Sequence, residues 1–297
     1  MVKPTSIVNC KPKTKNRKPI MQIADNDKKG TVFSSSFQGW EKTLSPLLDA
    51  AGLGESLKGQ KKILLKPNLV EVLDPPITTP VELIAATVDY IQKKAPESRI
   101  IIGEGCGSLQ YDTHHCFQHF GYAEMAASKG VELIDLNQES CVTLAKKKCK
   151  RWPEMTLPEI LFDVFLISVP VLKAHSMADV TLTMKNMMGI APPSRYQKGG
   201  HWKKASFHTG IHEAIFDLNR YRCADFTILD ATVGMAEAHL WGPTCSPPVN
   251  TLAASWDPVA IDAYGCDLLG RSWKNIGHVV LANEELGKAD YTLEKIG

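Results

Sequence analysis

The sequence predicts an α/β fold, an open and mainly parallel sheet with helices on both faces. Three observations carry this expectation. Short apolar runs recur at 61–65, 99–102, 131–135, 162–169 and 226–229. The run at 162–169 is interrupted only by Asp163 and Ser168, the pattern of a strand buried on both sides. Longer segments with helical spacing alternate with these runs, which favours βαβ units over segregated helices and strands.

Taken in order, residues 1–30 are polar and lysine-rich and read as a mobile tail, with 31–297 as a single domain. Ser34, Ser35 and Ser36 are candidate caps for a first helix. Its apolar positions are Phe37, Trp40, Leu44, Leu47, Leu48 and Ala51; Pro46 is placed to kink it, and Gly52 and Gly54 stand near its end. The strand at 61–65 runs into Lys66-Pro67-Asn68-Leu69, where Pro67 removes a donor and turns the chain out of the sheet. Lys66 and Asn68 are thereby presented at a strand end, although Lys66 also fits a surface lysine lying along apolar neighbours. Thr78 or Thr79 followed by Pro80 is an ordinary helix start, and the helix extends to about Lys94.

The strand at 99–102 delivers Gly103-Glu104-Gly105-Cys106-Gly107, a tight turn with closely approaching backbone. It is neither G-x-G-x-x-G nor a P-loop, so nothing here specifies a nucleotide. Two short helices broken at Gly121 lead to a strand ending at Asp135 and Asn137. Residues 142–158 read as a hairpin or excursion with the basic cluster Lys146, Lys147, Lys148, Lys150 and Arg151.

The densest stretch is 165–189. An apolar strand crosses Pro170, delivers Lys173 and His175, and enters a helix capped by Asp179 and stopped at Gly189, carrying Thr181, Lys185 and Asn186. Residues 190–204, with Pro192, Pro193, Gly199 and Gly200, read as a lid loop. A helix over 205–221 would place His208 and His212 at i, i+4, but without H-E-x-x-H; a single His208 reaching the cleft is the better reading. The strand at 226–229 ends at Asp230, and a short strand follows at 252–255. Asp257-Pro258 starts a helix that carries Asp262, and a last helix spans 273–283.

Composition narrows the function. Hydrophobic content of 44% and charged content of 22% are those of a globular protein, and the net charge of +2 argues against nucleic acid as partner. The basic N-terminal cluster, Lys3, Lys11, Lys13, Lys15, Arg17 and Lys18, reads as part of a solvated tail. No apolar run is long enough for a membrane span, and the first residues lack the apolar core of a secretory signal, so the expected compartment is the cytoplasm. The eight cysteines contain no C-x2-C pair and read as packed thiols. A homo-oligomer is compatible with all of this.

Lys66-Pro67-Asn68-Leu69, Gly103-Glu104-Gly105, Lys173-x-His175, Lys185-Asn186-x-x-Gly189, Leu229-Asp230 and Asp257-Pro258-x-Ala260-x-Asp262 occur in one order. Together, over roughly residues 35–285, the set resembles the DUF362 family. Some members of that family carry a fused ferredoxin-like domain with iron–sulfur motifs, which implies a redox setting. This chain lacks such a cysteine run, so electron transfer does not carry over from those members.

The expected function is binding or transformation of a small phosphate or carboxylate ligand in a cleft at the carboxyl edge of the sheet. Lys66, Asn68, Lys173, Thr181 and Asn186 are the expected ligand-binding residues. Glu104, His175, Lys185 and His208 are the expected catalytic ones, since imidazoles exchange protons near neutral pH. Glu104 and Asp230 could hold a divalent metal such as Mg²⁺, with Cys106 as a further ligand. Two alternatives stand beside this reading. One is a redox protein that holds an iron–sulfur cluster or metal through Cys106 and histidines; the other is a non-catalytic binding or assembly module. The same charges could also simply neutralise one another.

Overall fold

The computed structural model describes residues 28–297. The polar stretch 1–27, with the N-terminal basic cluster and Cys10, lies outside the described residues.

The strands are β1 (Thr31–Ser36), β2 (Lys62–Lys66), β3 (Arg99–Glu104), β4 (Glu132–Asp135), β5 (Cys141–Ala145), β6 (Glu154–Pro158), β7 (Phe165–Ser168), β8 (Val171–His175), β9 (Asp179–Thr181), β10 (Phe226–Met235), β11 (Thr251–Ser255) and β12 (Thr292–Ile296). The helices are α1 (Trp40–Ala50), α2 (Leu53–Leu57), α3 (Val81–Lys94), α4 (Thr113–His119), α5 (Tyr122–Lys129), α6 (Thr183–Asn186), α7 (Pro193–Tyr196), α8 (Ile211–Tyr221), α9 (Pro258–Leu268) and α10 (Gly277–Ala282).

The main sheet runs β12-β1-β11-β10-β7-β2-β3-β4, with β8 added beside β10 and β9 beside β8. From β10 across β7, β2 and β3 to β4 every pairing is parallel; β11 is antiparallel to both of its neighbours. β5 and β6 form a separate antiparallel hairpin. Alternate residues of each central strand feed two different cores. Leu64, Ile101 and Leu166 point to one, and Ile63, Leu65, Ile102 and Ile167 to the other. The first core is covered by α8 and α9 through Ile215, Leu218, Val259 and Ile261; the second by α1 and α3 through Leu44, Leu48, Ile84 and Val88. Two buried faces explain the continuous apolar runs, and the fold is the expected α/β sheet with helices on both sides.

The structure corrects several local expectations. Ser34, Ser35 and Ser36 belong to β1 and cap nothing; α1 starts at Trp40 behind Gly39. Thr79 does not cap α3. Its hydroxyl donates to Val169 O at 2.7 Å and accepts from Asn68 N at 2.8 Å, tying the turn after β2 to the end of β7. Residues 179–182 are not helical, because Thr181 pairs with Lys173 across the β8–β9 hairpin. Asp179 sits there with φ of 63°, and Asp262 caps the shortened α6, accepting from Thr183 N at 2.7 Å and Met184 N at 3.0 Å.

Gly210, at φ of 60°, breaks the expected helix over 205–221, so His208 precedes α8 and His212 lies on it. β10 continues through Asp230 to Met235, so Asp230 is not a strand end. The expected helix over 273–283 divides into a single 3-10 turn (Trp273–Asn275) and α10, and β12 lies beyond it. No helix among the described residues is long and apolar enough to cross a membrane.

Candidate functional site

Because β2, β3 and β7 are parallel, Lys66, Glu104 and Ser168 finish on one edge of the sheet. The chain leaving β7 turns at Pro170 and forms the β8–β9 hairpin, which rises above this edge and carries Lys173, His175 and Thr181. α6 follows with Lys185 and Asn186. These segments enclose a cavity of about 160 Å³ at the carboxyl end of the sheet, where open α/β sheets bind ligands.

Two glycines let its floor close. The loop after β3 and the turn after α6 meet at Gly105 and Gly189, and a Cβ on Gly105 would stand 2.4 Å from Gly189 O. A Cβ on Gly189 would stand 2.0 Å from Glu104 Oε1 and 2.7 Å from Lys66 Nζ. Under this contact lies a buried ion pair, Lys66 Nζ to Glu104 Oε2 at 2.6 Å. Lys66 also donates to Asn186 Oδ1 at 3.2 Å and Pro67 O at 3.1 Å, while Gly105 N donates to Glu104 Oε1 at 2.8 Å. Burial pulls the Lys66 amine down from its ordinary range, and Glu104 partly holds it up.

Amides extend the network outward. Asn68 Nδ2 donates to Asn186 Oδ1 at 3.0 Å, and Asn186 Nδ2 donates to Ser168 Oγ at 3.1 Å. Lys173 Nζ donates to Asn68 Oδ1 at 3.1 Å and to Ile77 O. Both asparagines thus spend their oxygens on the site's own cations.

The remaining cations have no carboxylate. Among the described residues, Lys173 and Lys204 hydrogen-bond only to neutral oxygens, Lys204 to Asn137 Oδ1 and Ala191 O, and Lys185 has no hydrogen-bond or ion-pair partner. Each is pulled down by burial. Lys173 falls well below its ordinary range with Lys185 adding to the effect, Lys185 falls to about 8 with Lys66 adding, and Lys204 falls to about 7 despite Glu104. Glu104 is the one carboxylate lining the cavity among the described residues, and it is spent on Lys66.

Three histidines line the same cavity. His175 Nδ1 accepts from Met177 N and Ala178 N, both at 3.1 Å, so its proton sits on Nε2. Its ring packs on His239 with centroids 4.1 Å apart. Burial first, and Lys185 second, hold His175 and His239 below the ordinary imidazole range, His239 at about 4; His208 shifts down for the same two reasons. The three rings are therefore neutral at pH 7. The Thr181 hydroxyl is buried in the cleft wall without a hydrogen-bond partner among the described residues.

Of the residues expected from sequence, Asn68, Glu104, Lys173, His175, Thr181, Lys185, Asn186 and His208 line the cavity, and Lys66 lies directly beneath through Glu104. Two lie elsewhere. Asp230 is in the middle of β10 and accepts from Thr232 N at 2.9 Å and Thr232 Oγ1 at 2.7 Å. Cys106 is buried behind the wall, accepting from Lys203 Nζ at 3.2 Å, and a hydrogen bond with Cys116 brings its thiol down to about 7. The expected metal ligands do not fit a metal: Glu104 is neutralised, Asp230 does not line the cavity, and no three His, Cys, Asp or Glu side chains converge among the described residues. The i, i+4 pair also separates. His208 lines the cavity, whereas His212 Nδ1 lies 3.2 Å from His278 Nδ1.

Trp202, Lys204 and His239 were not foreseen as site residues. Trp202 and Lys204 fall in the stretch read as a lid; Trp202 bridges to Ser108 and Lys203 N donates to Gly107 O at 2.8 Å, which fixes them to the loop after β3.

The family model described as Domain of unknown function (DUF362) matches residues 63–267, which includes every cavity-lining residue. The chain is 25% identical over 232 residues to a thylakoid-associated protein of Synechocystis sp., covering 76% of this chain and 67% of that relative. Among solved structures it is similar to the lactate racemase apoprotein from Thermoanaerobacterium thermosaccharolyticum, with a TM-score of 0.49 and 14% identity. That match covers 79% of this chain and 56% of the other, so the chain spans little more than half of that protein's length.

Proposed function

This chain belongs to the DUF362 family, and from that premise we propose that its cleft binds a small anion, a phosphate or a carboxylate, and presents it to neutral imidazoles. The single observation that carries the reading is the charge imbalance: Lys173, Lys185 and Lys204 converge on one cavity whose carboxylate, Glu104, is committed to Lys66. Buried cations without counter-ions are costly, and a bound anion would supply what the protein withholds. Lys185, half-buried and without a partner among the described residues, is the amine that first meets the ligand. Thr181 adds a hydroxyl that has no other partner among the described residues, and His175 adds a fixed Nε2–H donor. His208 supplies a neutral ring able to accept a proton from a bound acid.

We place the protein in the cytoplasm, in keeping with the buried thiols of Cys106, Cys116, Cys149 and Cys266. Titration calorimetry with inorganic phosphate and with acetate tests the reading. At least one should bind, and Lys185→Ala should weaken it about tenfold or more, the loss expected for one charge-assisted contact. If neither anion binds the wild-type protein, or if Lys185→Ala binds as tightly, the reading is wrong.

A further inference from the structure

The cavity is lined by two kinds of group. Its charged and amide groups include Lys173, Asn186 and Lys204, all of them buried. Its apolar wall is built from Leu69, Val70, Met177, Met188, Trp202 and Leu240. Met177 is 47% exposed, and Trp241, next in sequence to Leu240, is 73% exposed. Scattered exposed apolar residues need no explanation, but six apolar side chains that line one cavity together with three lysines do. The backbone at Trp202 is fixed by its bridge to Ser108 and by Lys203 N on Gly107 O. A small hydrophilic ion would satisfy the lysines and leave that apolar wall wet.

We propose that the ligand is an amphipathic acid, with a phosphate or carboxylate head among the lysines and a hydrocarbon or aromatic body against Met177, Trp202 and Leu240. The inference rests on the anion reading of the same cleft and adds the chemistry of the rest of the ligand. A wall of aliphatic and aromatic carbon offers no hydrogen bonds to a polyhydroxylated body, whose hydroxyls would lose water without replacement. It offers an apolar body removal from water, at about fourfold in affinity per buried methylene. Polar groups that fix one end and an apolar wall that holds the rest are the usual division of labour in small-molecule sites.

The test is a calorimetric series on the full chain: inorganic, methyl, butyl and hexyl phosphate, with acetate, butanoate and hexanoate in parallel. Affinity should climb with chain length, by at least about tenfold from the methyl to the hexyl phosphate or from acetate to hexanoate. Met177→Gln, at an exposed position with little bearing on folding, should shrink that ratio. If the short anions bind but lengthening the chain gains nothing, the amphipathic ligand is ruled out while the anion reading stands. If no member of either series binds, both fall together. A length dependence that Met177→Gln and Trp202→Ala both leave intact would place the body elsewhere and overturn the assignment to this wall.

Discussion

The Lys66–Glu104 pair sets the character of every other charge in the cleft. Both side chains are almost fully buried, and their 2.6 Å contact lies under the junction of Gly105 with Gly189. Removing one partner leaves the other as an uncompensated charge, which typically costs about 3–5 kcal/mol. Glu104→Gln should therefore lower unfolding free energy by about 3 kcal/mol in urea melts. The double variant Lys66→Met/Glu104→Leu should recover at least half of that, because two apolar groups need no pairing. A loss below about 1 kcal/mol in Glu104→Gln would mean that the pair is not the keystone described here, and Glu104 would return to candidacy as a catalytic acid or base. This arrangement was only half legible in sequence. Lys66 and Glu104 were both visible as polar residues after apolar runs, since strand ends can be read from periodicity. Their commitment to each other depends on β2 and β3 being neighbours, which no local pattern announces.

At the scale of elements, caps and edges decide what a sequence shows. Asp257 was visible as a cap because Asp-Pro before an apolar helix is a local signal, and it does accept from Val259 N at 2.9 Å and Ala260 N at 3.0 Å through Oδ1. Its second oxygen was not foreseen. Oδ2 accepts from Gly30 N at 3.0 Å and Lys288 N at 2.9 Å, joining the start of α9 to the approaches of β1 and β12. Asp257→Ala should cost about 3 kcal/mol, the sum of a lost cap and two further unsatisfied donors. Asp257→Asn keeps one accepting oxygen and should cost about half as much; thermal melts of the two variants check the order. Equal losses would show that one retained oxygen contributes nothing, and a negligible loss in Asp257→Asn would show that the cap alone matters. Asp262 was harder to read, because it caps α6 from 79 residues away. The edge strand β12 and its neighbour β1 were missed for a different reason. β12 has residues exposed on both sides and β1 ends in three serines, so neither shows the apolar run that revealed β2, β3 and β7.

For the molecule as a whole, a formal charge of +2 conceals a local excess. The composition argued against a polyanion partner, yet the fold gathers lysines from separate segments into one cavity. Lys66, Lys173 and Lys185 were legible because each follows a strand or turn signal. Lys204 and His239 were not, since both lie in loops without periodicity and reach the cavity only through tertiary contacts. The gathered charge makes ligand affinity depend on pH with a definite sign. A lysine carries its charge below its pKa, and burial brings Lys204 to about 7 and Lys185 to about 8. His239, held at about 4, is neutral throughout that range and contributes no compensating charge. Sulfate is a suitable probe, because its own charge is constant above pH 4. Its affinity should be highest near pH 6, fall through pH 7 to 8 as the two amines discharge, and be at least about tenfold weaker at pH 9. By linkage, sulfate binding at pH 8 should take up protons, seen as a binding enthalpy that varies with the ionisation enthalpy of the buffer. An affinity that is flat or rises from pH 6 to 9, with no proton uptake, would remove these lysines from the binding site.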